Sequence, residues 1–457
     1  SQDLEMYIRD ANATGNNAAI EEALFQYGWA CLRSDSTRNA ASCFQTIIAN
    51  YPRSDRAIDA QYGYAWSLFK ESRFQQAEKE FYKILEKDSI SRYAYDLLSR
   101  VGDGRYAQGD YTKALKIYNL AVDRPTFDRY LVTRAMFQLG LARMRSDSAR
   151  SAMNAFNYII TKQQQSDLVD RSYYNYAIAA YAIIQNEKAE WAISELLKQY
   201  PNSSYASKGL YLSASQAERR GDDTKALSSY KRFLKEYPSA DEFRDALFST
   251  LDLLAGNKKE SDAITLASQY LREDSLNKRP YPPELLIKKG QIETQAKKYD
   301  NAIATFQSFK TRFGNHALLP FSYYYTGRTY SKRGSDDMAK ATYQQVIDSF
   351  PTSDAASFAL LELARDERDN NNYKQAASYY TRAFDYQYFS SDAAPQAMLE
   401  YAQFCLDKLN NEDSAVTVFD ELSKRYLIET SVGGKAQIEI ADILLGNGKE
   451  GEAISRL

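Results

Sequence analysis

The sequence predicts an all-α protein, a right-handed solenoid of about twelve helix-turn-helix units. Three repeated features predict this fold. An alanine followed four residues later by a large side chain recurs at spacings of 37 to 39 residues. Glycine or alanine often stands twelve residues before that alanine, and Tyr-Pro or Phe-Pro dipeptides separate several of the units. A period this steady over 457 residues indicates one supersecondary unit repeated along the chain.

Each unit is predicted to be a hairpin of two helices. Two helices approach closely only where small side chains face each other, and a large side chain then fills the groove beside them. The residue four positions after the marking alanine is large in every unit but one, and that exception is Ala267. The alanines that mark the second helix are Ala40, Ala77, Ala114, Ala152, Ala189, Ala226, Ala263, Ala302, Ala339, Ala376, Ala415 and Ala453.

The unit that ends at Pro351 shows the pattern most completely. Gly327 lies on the apolar face of the first helix, Gly334 ends that helix, and Ala339 and Tyr343 lie on the second. A glycine at a helix end tolerates a left-handed backbone, and the Ser or Asp that follows caps the next helix. The same roles are predicted for Gly109, Asp110, Gly221 and Asp222, whereas Ser54, Ser203 and Ser353 are predicted to start first helices.

These residues resemble the tetratricopeptide repeat, whose pattern is W-x2-L-G-x2-Y, then A-x3-F, then P, in about 34 residues. The resemblance covers nearly all of the chain, although the family tryptophan is absent and the period is longer. The longer Tyr-Pro-x-Ser form is similar to repeats of bacterial cell-envelope proteins, such as outer-membrane assembly lipoproteins and the Tol-Pal-associated periplasmic coordinator. The matching residues are Gly327, Tyr330, Ala339, Tyr343 and Pro351 in one unit, and Leu24, Tyr27, Gly28, Ala40, Phe44 and Pro52 in the first.

The predicted organisation has four parts. Residues 1–19 form an N-terminal helical segment, 20–272 an array of seven repeats, 273–283 a proline-rich linker, and 284–457 an array of five repeats with the last one truncated. The linker is predicted from three prolines that interrupt the rhythm. Solenoid ends need a polar cap to stay soluble, so the natural protein is expected to continue beyond Leu457.

Composition and motifs argue against several classes of function. The 58 basic and 60 acidic residues nearly balance, which gives no electrostatic reason to expect nucleic acid as a partner. An apolar run of about 20 residues is missing, so direct membrane insertion is not expected. Scattered cysteines (Cys31, Cys43 and Cys405) and the single histidine, His316, leave no pattern for a metal, a cofactor or a catalytic group. The sequence therefore predicts no enzyme.

The resemblance implies that a partner binds the inner surface, at first-helix positions outside the small-residue seam. One row of such positions is mostly aromatic, and the next row varies from unit to unit. Packing of the rings against the neighbouring helix is the alternative, because a stripe at helical spacing is usually core. The charged residues could equally form a solvated face, partly neutralised by Glu362 and Asp369. The candidate partner-binding residues are Trp29, Tyr62, Trp66, Tyr174, Tyr211, Tyr324, Arg328, Lys332, Arg365 and Arg368.

The sequence thus favours a non-enzymatic scaffold that binds a protein or peptide in a concave groove. The expected location is the bacterial periplasm or the outer membrane surface, with the cytoplasm as the alternative. A second hypothesis makes the chain the accessory region of a larger enzyme or signalling protein that continues past Leu457. The chain is expected to be a monomer, although self-association through bare solenoid ends is a third hypothesis.

Overall fold

The described residues of the protein are almost entirely helical. The computed structural model describes residues 17–87, 94–123, 129–146, 148–272, 281–385, 392–426 and 431–456. Within these ranges the chain forms 24 α-helices and no strand. The all-α prediction is confirmed.

The chain divides into two compact units, residues 1–243 and 244–457. The helices of the first are α1 (Asn17–Arg33), α2 (Thr37–Asn50), α3 (Ala57–Lys70), α4 (Phe74–Lys87), α5 (Ala94–Ala107), α6 (Tyr111–Val122), α7 (Arg129–Arg145), α8 (Ala149–Lys162), α9 (Val169–Ala182), α10 (Asn186–Gln199), α11 (Ser204–Arg219) and α12 (Asp223–Glu236). Those of the second are α13 (Phe243–Gly256), which starts at the boundary, α14 (Glu260–Arg272), α15 (Pro282–Gln295), α16 (Tyr299–Phe313), α17 (Leu319–Arg333), α18 (Asp336–Ser349), α19 (Asp354–Asp369), α20 (Tyr373–Ala383), α21 (Ala393–Asp407), α22 (Glu412–Arg425), α23 (Ser431–Gly446) and α24 (Glu450–Arg456).

Each unit is a stack of helix hairpins with two layers. The odd-numbered helices are the first helices of the hairpins, and every marking alanine lies on an even-numbered second helix. First helices pack against their own second helices, as α1 does against α2 and α17 against α18. Contacts between successive first helices, such as α7 with α9 and α17 with α19, join neighbouring hairpins side by side. The first helices therefore form one continuous layer within each unit, and the solenoid prediction is confirmed.

In several hairpins the large residue after the marking alanine packs on the small residue of the first helix. A Cβ built on Gly290 would lie 2.4 Å from Cε1 of Phe306, closer than real Cβ atoms approach. The ring of Phe44 meets two glycines, since a Cβ on Gly28 or on Gly63 would lie 2.8 Å or 2.6 Å from it. This close approach confirms the predicted pairing of small and large residues, and these rings are among the largest fully buried side chains.

In eleven hairpins the turn contains a described residue in the left-handed conformation. Gly334 has a φ of 80°, as predicted. Seven described hairpins place another residue type at this position, and the β-branched Ile184 holds a φ of 61° there. Residues other than Gly, Asn and Asp are strained when their backbone adopts this conformation. The other six are Asp35, Ser72, Lys258, Lys297, Asn371 and Asn410.

Most of the predicted caps are present. Asp110 accepts a hydrogen bond from the backbone N of Lys113 at 3.2 Å, which satisfies an otherwise unpaired helical donor. Ser203 accepts one from Tyr205 at 3.0 Å at the start of α11. Ser335 and Ser54 are the exceptions. The Ser335 side chain makes no capping hydrogen bond. The prediction for Ser54 is wrong, because α3 begins at Ala57 with Arg56 at its N-cap, and Ser54 instead accepts a hydrogen bond from the backbone N of Arg56 at 3.0 Å, before the helix begins. Asp222 and Ser353 cap α12 and α19 as predicted.

The predicted domain boundaries stay predictions. The N-terminal segment 1–19 and the linker 273–283 lie largely outside the described residues, as does Leu457. On either side of the linker, α14 and α15 contact each other, and both belong to the second unit. The two compact units divide at Phe243, one hairpin before the predicted linker.

Candidate partner-binding surface

All ten predicted partner-binding residues lie on first helices. They therefore belong to the layer in which successive hairpins meet side by side. Their roles in binding remain predictions, but the contacts of each side chain distinguish those held inside the repeat from those available to a partner. The positions are α1 for Trp29, α3 for Tyr62 and Trp66, α9 for Tyr174, α11 for Tyr211, α17 for Tyr324, Arg328 and Lys332, and α19 for Arg365 and Arg368.

Tyr324 connects two neighbouring hairpins of the second unit. Its ring lies 5.5 Å from Phe358 of α19, and its hydroxyl donates to Glu362 Oε1 at 3.3 Å. Only 5% of Tyr324 is exposed, and burial raises the pKa of its phenol well above the ordinary value. This ring therefore packs between repeats and presents little surface to a partner.

The other tyrosines of the aromatic row are half-buried and also contact their neighbours. Tyr62 donates a hydrogen bond to Asp96 on α5. The rings of Tyr211 and Tyr230 lie 5.8 Å apart, so Tyr211 packs on the large residue of its own hairpin. The ring of Tyr174 lies 5.5 Å from Tyr205 at the start of α11. These rings pack in the repeat, and each residue stays partly exposed.

Two of the predicted partner-binding residues are tryptophans, and each packs against different side chains. The Trp29 ring meets Phe44 edge-on at 5.4 Å, over the core of the first hairpin. Trp66 is stacked on Phe69 at 5.2 Å, and the Arg100 guanidinium lies 4.2 Å from the centre of its ring. Sequence reasoning missed Arg100, because it lies one repeat further along, on α5. The aromatic surface of Trp66 is therefore already in contact with a cation, the Arg100 guanidinium.

Arg100 belongs to a charged network on the first helices of the first unit. It lies 3.6 Å from Asp103, which also pairs with Arg134 of α7 at 3.1 Å. The Tyr118 hydroxyl donates to Asp103 at 2.7 Å. Burial raises the pKa of Asp103 to about 6, although its partners oppose that rise. This carboxyl can therefore change its charge in mildly acidic solution.

The predicted basic patch of the second unit separates into two parts. Arg365 makes a two-pronged contact with Glu400, with distances of 2.9 Å and 2.5 Å, and this carboxylate raises the pKa of the guanidinium. Arg368 donates to Asp369 at 2.9 Å and to the Tyr380 hydroxyl at 3.2 Å. The positive charges of Arg365 and Arg368 are therefore both paired within the protein. This is what the alternative interpretation, a charged face neutralised by neighbouring carboxylates, predicts for these two residues.

Arg328 and Lys332 instead line a pocket between α15 and α17. Its volume is about 450 Å³, and we call it the α15–α17 pocket. Arg328 is exposed over 45% of its side chain, and its nearest carboxylate, that of Glu362, is 3.9 Å away. The lining residues are Gln291, Thr294, Gln295, Lys297, Tyr299, Tyr325, Arg328 and Lys332.

The chemistry of the α15–α17 pocket suits an anion. Lys297, Arg328 and Lys332 supply three positive charges, and no lining residue is acidic. Tyr299 and Tyr325 add aromatic surface beside these charges. Guanidinium and ammonium groups bind carboxylates through charge-assisted hydrogen bonds, and the aromatic rings favour an attached apolar chain. Lys297 and Tyr299 were missed by sequence reasoning because they lie in the turn and at the start of α16, outside the first-helix stripe.

Two other properties bear on function. None of the described helices is long and apolar enough to cross a membrane. Within the described part of the chain, no three His, Cys, Asp or Glu side chains are grouped as a metal site would need. The expected absence of a metal or cofactor remains a prediction.

The stacked hairpins define an α-helical repeat protein. Two tetratricopeptide repeat models match the sequence, one over residues 20–91 and 361–426 and the other over residues 209–240 and 321–353. These four segments are therefore tetratricopeptide repeats, and the resemblance is confirmed. Proteins of this class generally act as non-catalytic scaffolds for protein–protein interaction. The assignment to the long-period variant stays a prediction.

Solved structures similar to the chain include yeast Tom70, at 14% identity, with coverage of 95% of this chain and 90% of that one and a TM-score of 0.44. The C-terminal part of a tetratricopeptide repeat protein from Cytophaga hutchinsonii matches at 16% identity, covering 53% and 93%, with a TM-score of 0.44. A tetratricopeptide repeat protein from Parabacteroides merdae matches at 16% identity, covering 59% and 99%, with a TM-score of 0.37. None of the curated proteins compared with the chain matches it.

Proposed function

We propose that the protein is a non-enzymatic scaffold that binds a partner protein through an acidic segment placed in the α15–α17 pocket. The observation that carries the proposal is the convergence of Lys297, Arg328 and Lys332 on one pocket without a lining carboxylate. A carboxylate of the partner supplies the missing negative charge, and Tyr299 and Tyr325 contact the chain that bears it. The pocket lies mainly on first helices, the part of the repeat where the resemblance to the family implies partner binding.

A labelled peptide rich in glutamate and leucine tests the proposal when compared with the same peptide carrying glutamine in place of glutamate. The acidic peptide is expected to bind the full chain, and the Arg328→Glu/Lys332→Glu variant is expected to weaken binding by about 10-fold or more, since charge-assisted contacts are lost. Lys374→Glu is the matched control, because Lys374 is an exposed lysine of the same unit outside the pocket. Equal binding of the two peptides would contradict the proposal.

The cellular location and oligomeric state form part of the same proposal. The long-period Tyr-Pro-x-Ser repeats support a place in the bacterial envelope, in the periplasm or at the outer membrane. Fractionation of the native organism tests this placement, and recovery of the protein with the cytoplasm would overturn it. We propose that the chain acts as a monomer, which sedimentation at several protein concentrations tests.

A further inference from the structure

A second pocket lies in the first unit, on the layer of second helices. Its volume is about 460 Å³, and it lies between α8 and α10 over Tyr176 of α9. We call it the α8–α10 pocket. It differs from the α15–α17 pocket in both the unit and the helix layer that form it, and none of its residues was predicted from the sequence.

Two cations face the α8–α10 pocket from opposite helices. Arg150 of α8 and Lys188 of α10 are both exposed and line it, and no lining residue is acidic. In the part of the chain that the structure describes, neither cation has a carboxylate within 4.0 Å. The α8 helix itself contains no Asp or Glu. Both positive charges are therefore available to a ligand.

The repeat explains why Lys188 has no partner. Lys188 immediately precedes the marking alanine of its unit, and the equivalent lysine of the next unit is Lys225. Lys225 pairs with Glu190 at 2.7 Å, one residue after the preceding marking alanine. The residue equivalent to Glu190 for Lys188 is Met153, a buried methionine that lines the pocket. The next hairpin therefore has a Lys225–Glu190 salt bridge, whereas in this pocket the unpaired Lys188 lies beside the apolar side chain of Met153.

The pocket also contains an unsatisfied polar atom. The side-chain Oε1 of Gln185 is shielded from solvent and has no hydrogen-bond partner. A buried carbonyl oxygen without a partner costs free energy, which a ligand N–H group would recover. A polypeptide supplies both features that the pocket lacks, since an acidic side chain carries the negative charge and the backbone carries the N–H.

Exposed apolar side chains border the pocket. Trp191 lies one turn beyond Lys188 on α10, is 44% exposed, and has its ring 5.8 Å from Tyr176. Ile184, next to Gln185, is 81% exposed. Exposed tryptophan beside a positive charge is typical of protein interfaces.

We infer that the α8–α10 pocket binds an acidic segment of a second protein. A carboxylate of that segment lies between Arg150 and Lys188, a backbone N–H donates to Gln185, and an apolar side chain packs on Trp191. This site is additional to the proposed α15–α17 pocket. One chain therefore binds two acidic segments at once and can join two partners.

Calorimetric titration of the full chain with the glutamate–leucine peptide tests the inference. Two peptides per chain are expected for the wild type, and one for Arg150→Glu/Lys188→Glu, with the α15–α17 pocket unaffected. The alanine pair Arg150→Ala/Lys188→Ala provides a second, milder variant, and circular dichroism verifies that both variants fold. Lys231→Glu, an exposed second-helix lysine of the same unit, is the matched control.

The outcomes separate this inference from the proposed function. If Arg328→Glu/Lys332→Glu leaves the stoichiometry unchanged while Arg150→Glu/Lys188→Glu lowers it, the α8–α10 pocket is supported and the α15–α17 pocket is not. If Arg150→Glu/Lys188→Glu leaves the stoichiometry and affinity unchanged, the inference is wrong. Equal binding of the glutamine–leucine peptide at this pocket would show that no carboxylate is recognised, and would also overturn it. Complete displacement of the acidic peptide by inorganic phosphate at the same concentration would show a general anion pocket, with the same consequence.

Discussion

The ring of Tyr343 packs directly on the backbone of Gly327. A Cβ built on Gly327 would lie 2.7 Å from Cε1 of the ring, a distance at which one of the two groups has to move. Tyr343 is itself buried, so the ring has little room to move. This contact holds α17 against α18, and the same contact recurs with other residues along the chain.

Replacing Gly327 with alanine is expected to destabilise the second unit by about 1–3 kcal/mol, the usual cost of an overpacked core. Urea unfolding followed by circular dichroism measures this loss. Gly256→Ala is the matched control, because Gly256 is also helical and a Cβ there meets nothing within 4 Å. That control is expected to be neutral or slightly stabilising, since alanine favours helix. Equal effects of the two substitutions would contradict the packing argument.

Replacing Ile184 with glycine is expected to stabilise the first unit by about 0.5–1 kcal/mol. Glycine adopts the left-handed backbone without the strain that a β-branched residue carries, although its greater freedom in the unfolded chain offsets part of the gain. Ile184 is 81% exposed, so the substitution removes little buried surface. The reciprocal change, Gly221→Ala, adds strain at the equivalent position without a clash and is expected to destabilise. Thermal unfolding of both variants tests the sign of each effect.

Replacing Arg365 with alanine is expected to destabilise the second unit by about 1–3 kcal/mol, because Glu400 loses its two-pronged partner. Arg328→Ala is expected to change stability by less than about 0.5 kcal/mol, since 45% of that side chain is exposed and its nearest carboxylate lies 3.9 Å away. Chemical unfolding distinguishes the two arginines. If both substitutions left stability unchanged, Arg365 would be as free for a partner as Arg328.

The stability of the first unit is expected to depend on the charge of Asp103. Burial raises the pKa of this carboxyl to about 6 from an ordinary value of 3.8. Between about pH 4 and pH 6 the folded chain therefore holds a proton that the unfolded chain has released. The stability contributed by the group is complete below this window and falls as the pH rises through it.

The Asp103→Asn variant tests this dependence because asparagine does not titrate. The unfolding free energy of the wild type, relative to the variant, is expected to fall as the pH rises from about 4 to about 6. Urea unfolding at several pH values measures the difference, and an NMR titration of the carboxyl carbon measures the pKa itself. A constant difference across the window would show that Asp103 has an ordinary pKa in the folded chain.

The sequence alone was sufficient for the helix hairpins and the contacts inside them. Gly327, Ala339 and Tyr343 repeat at fixed spacings, and such spacings decide which helix face is buried whatever the partner helix is. The turn glycines and most of the serine and aspartate caps were predictable for the same reason, since they depend on the local backbone.

The same pattern could not assign the surface. Arg328 and Arg365 occupy equivalent positions in successive repeats, yet Arg328 lines a pocket and Arg365 is paired with Glu400. This difference depends on residues of the neighbouring repeat. A pattern read along one helix does not include those residues. Lys297 and Gln185 belong to turns, so a search confined to first helices passed over both.

The repeat sequence by itself therefore determined the fold class, the hairpin and its buried ring, because these rest on the period and on local backbone chemistry. Only the tertiary structure decided which charges are neutralised and which remain available, because a salt bridge depends on the side chain that the neighbouring hairpin presents. Lys188 and Lys225 illustrate this: they share a repeat position, but Lys225 faces Glu190, whereas Lys188 lines a pocket with the Met153 side chain.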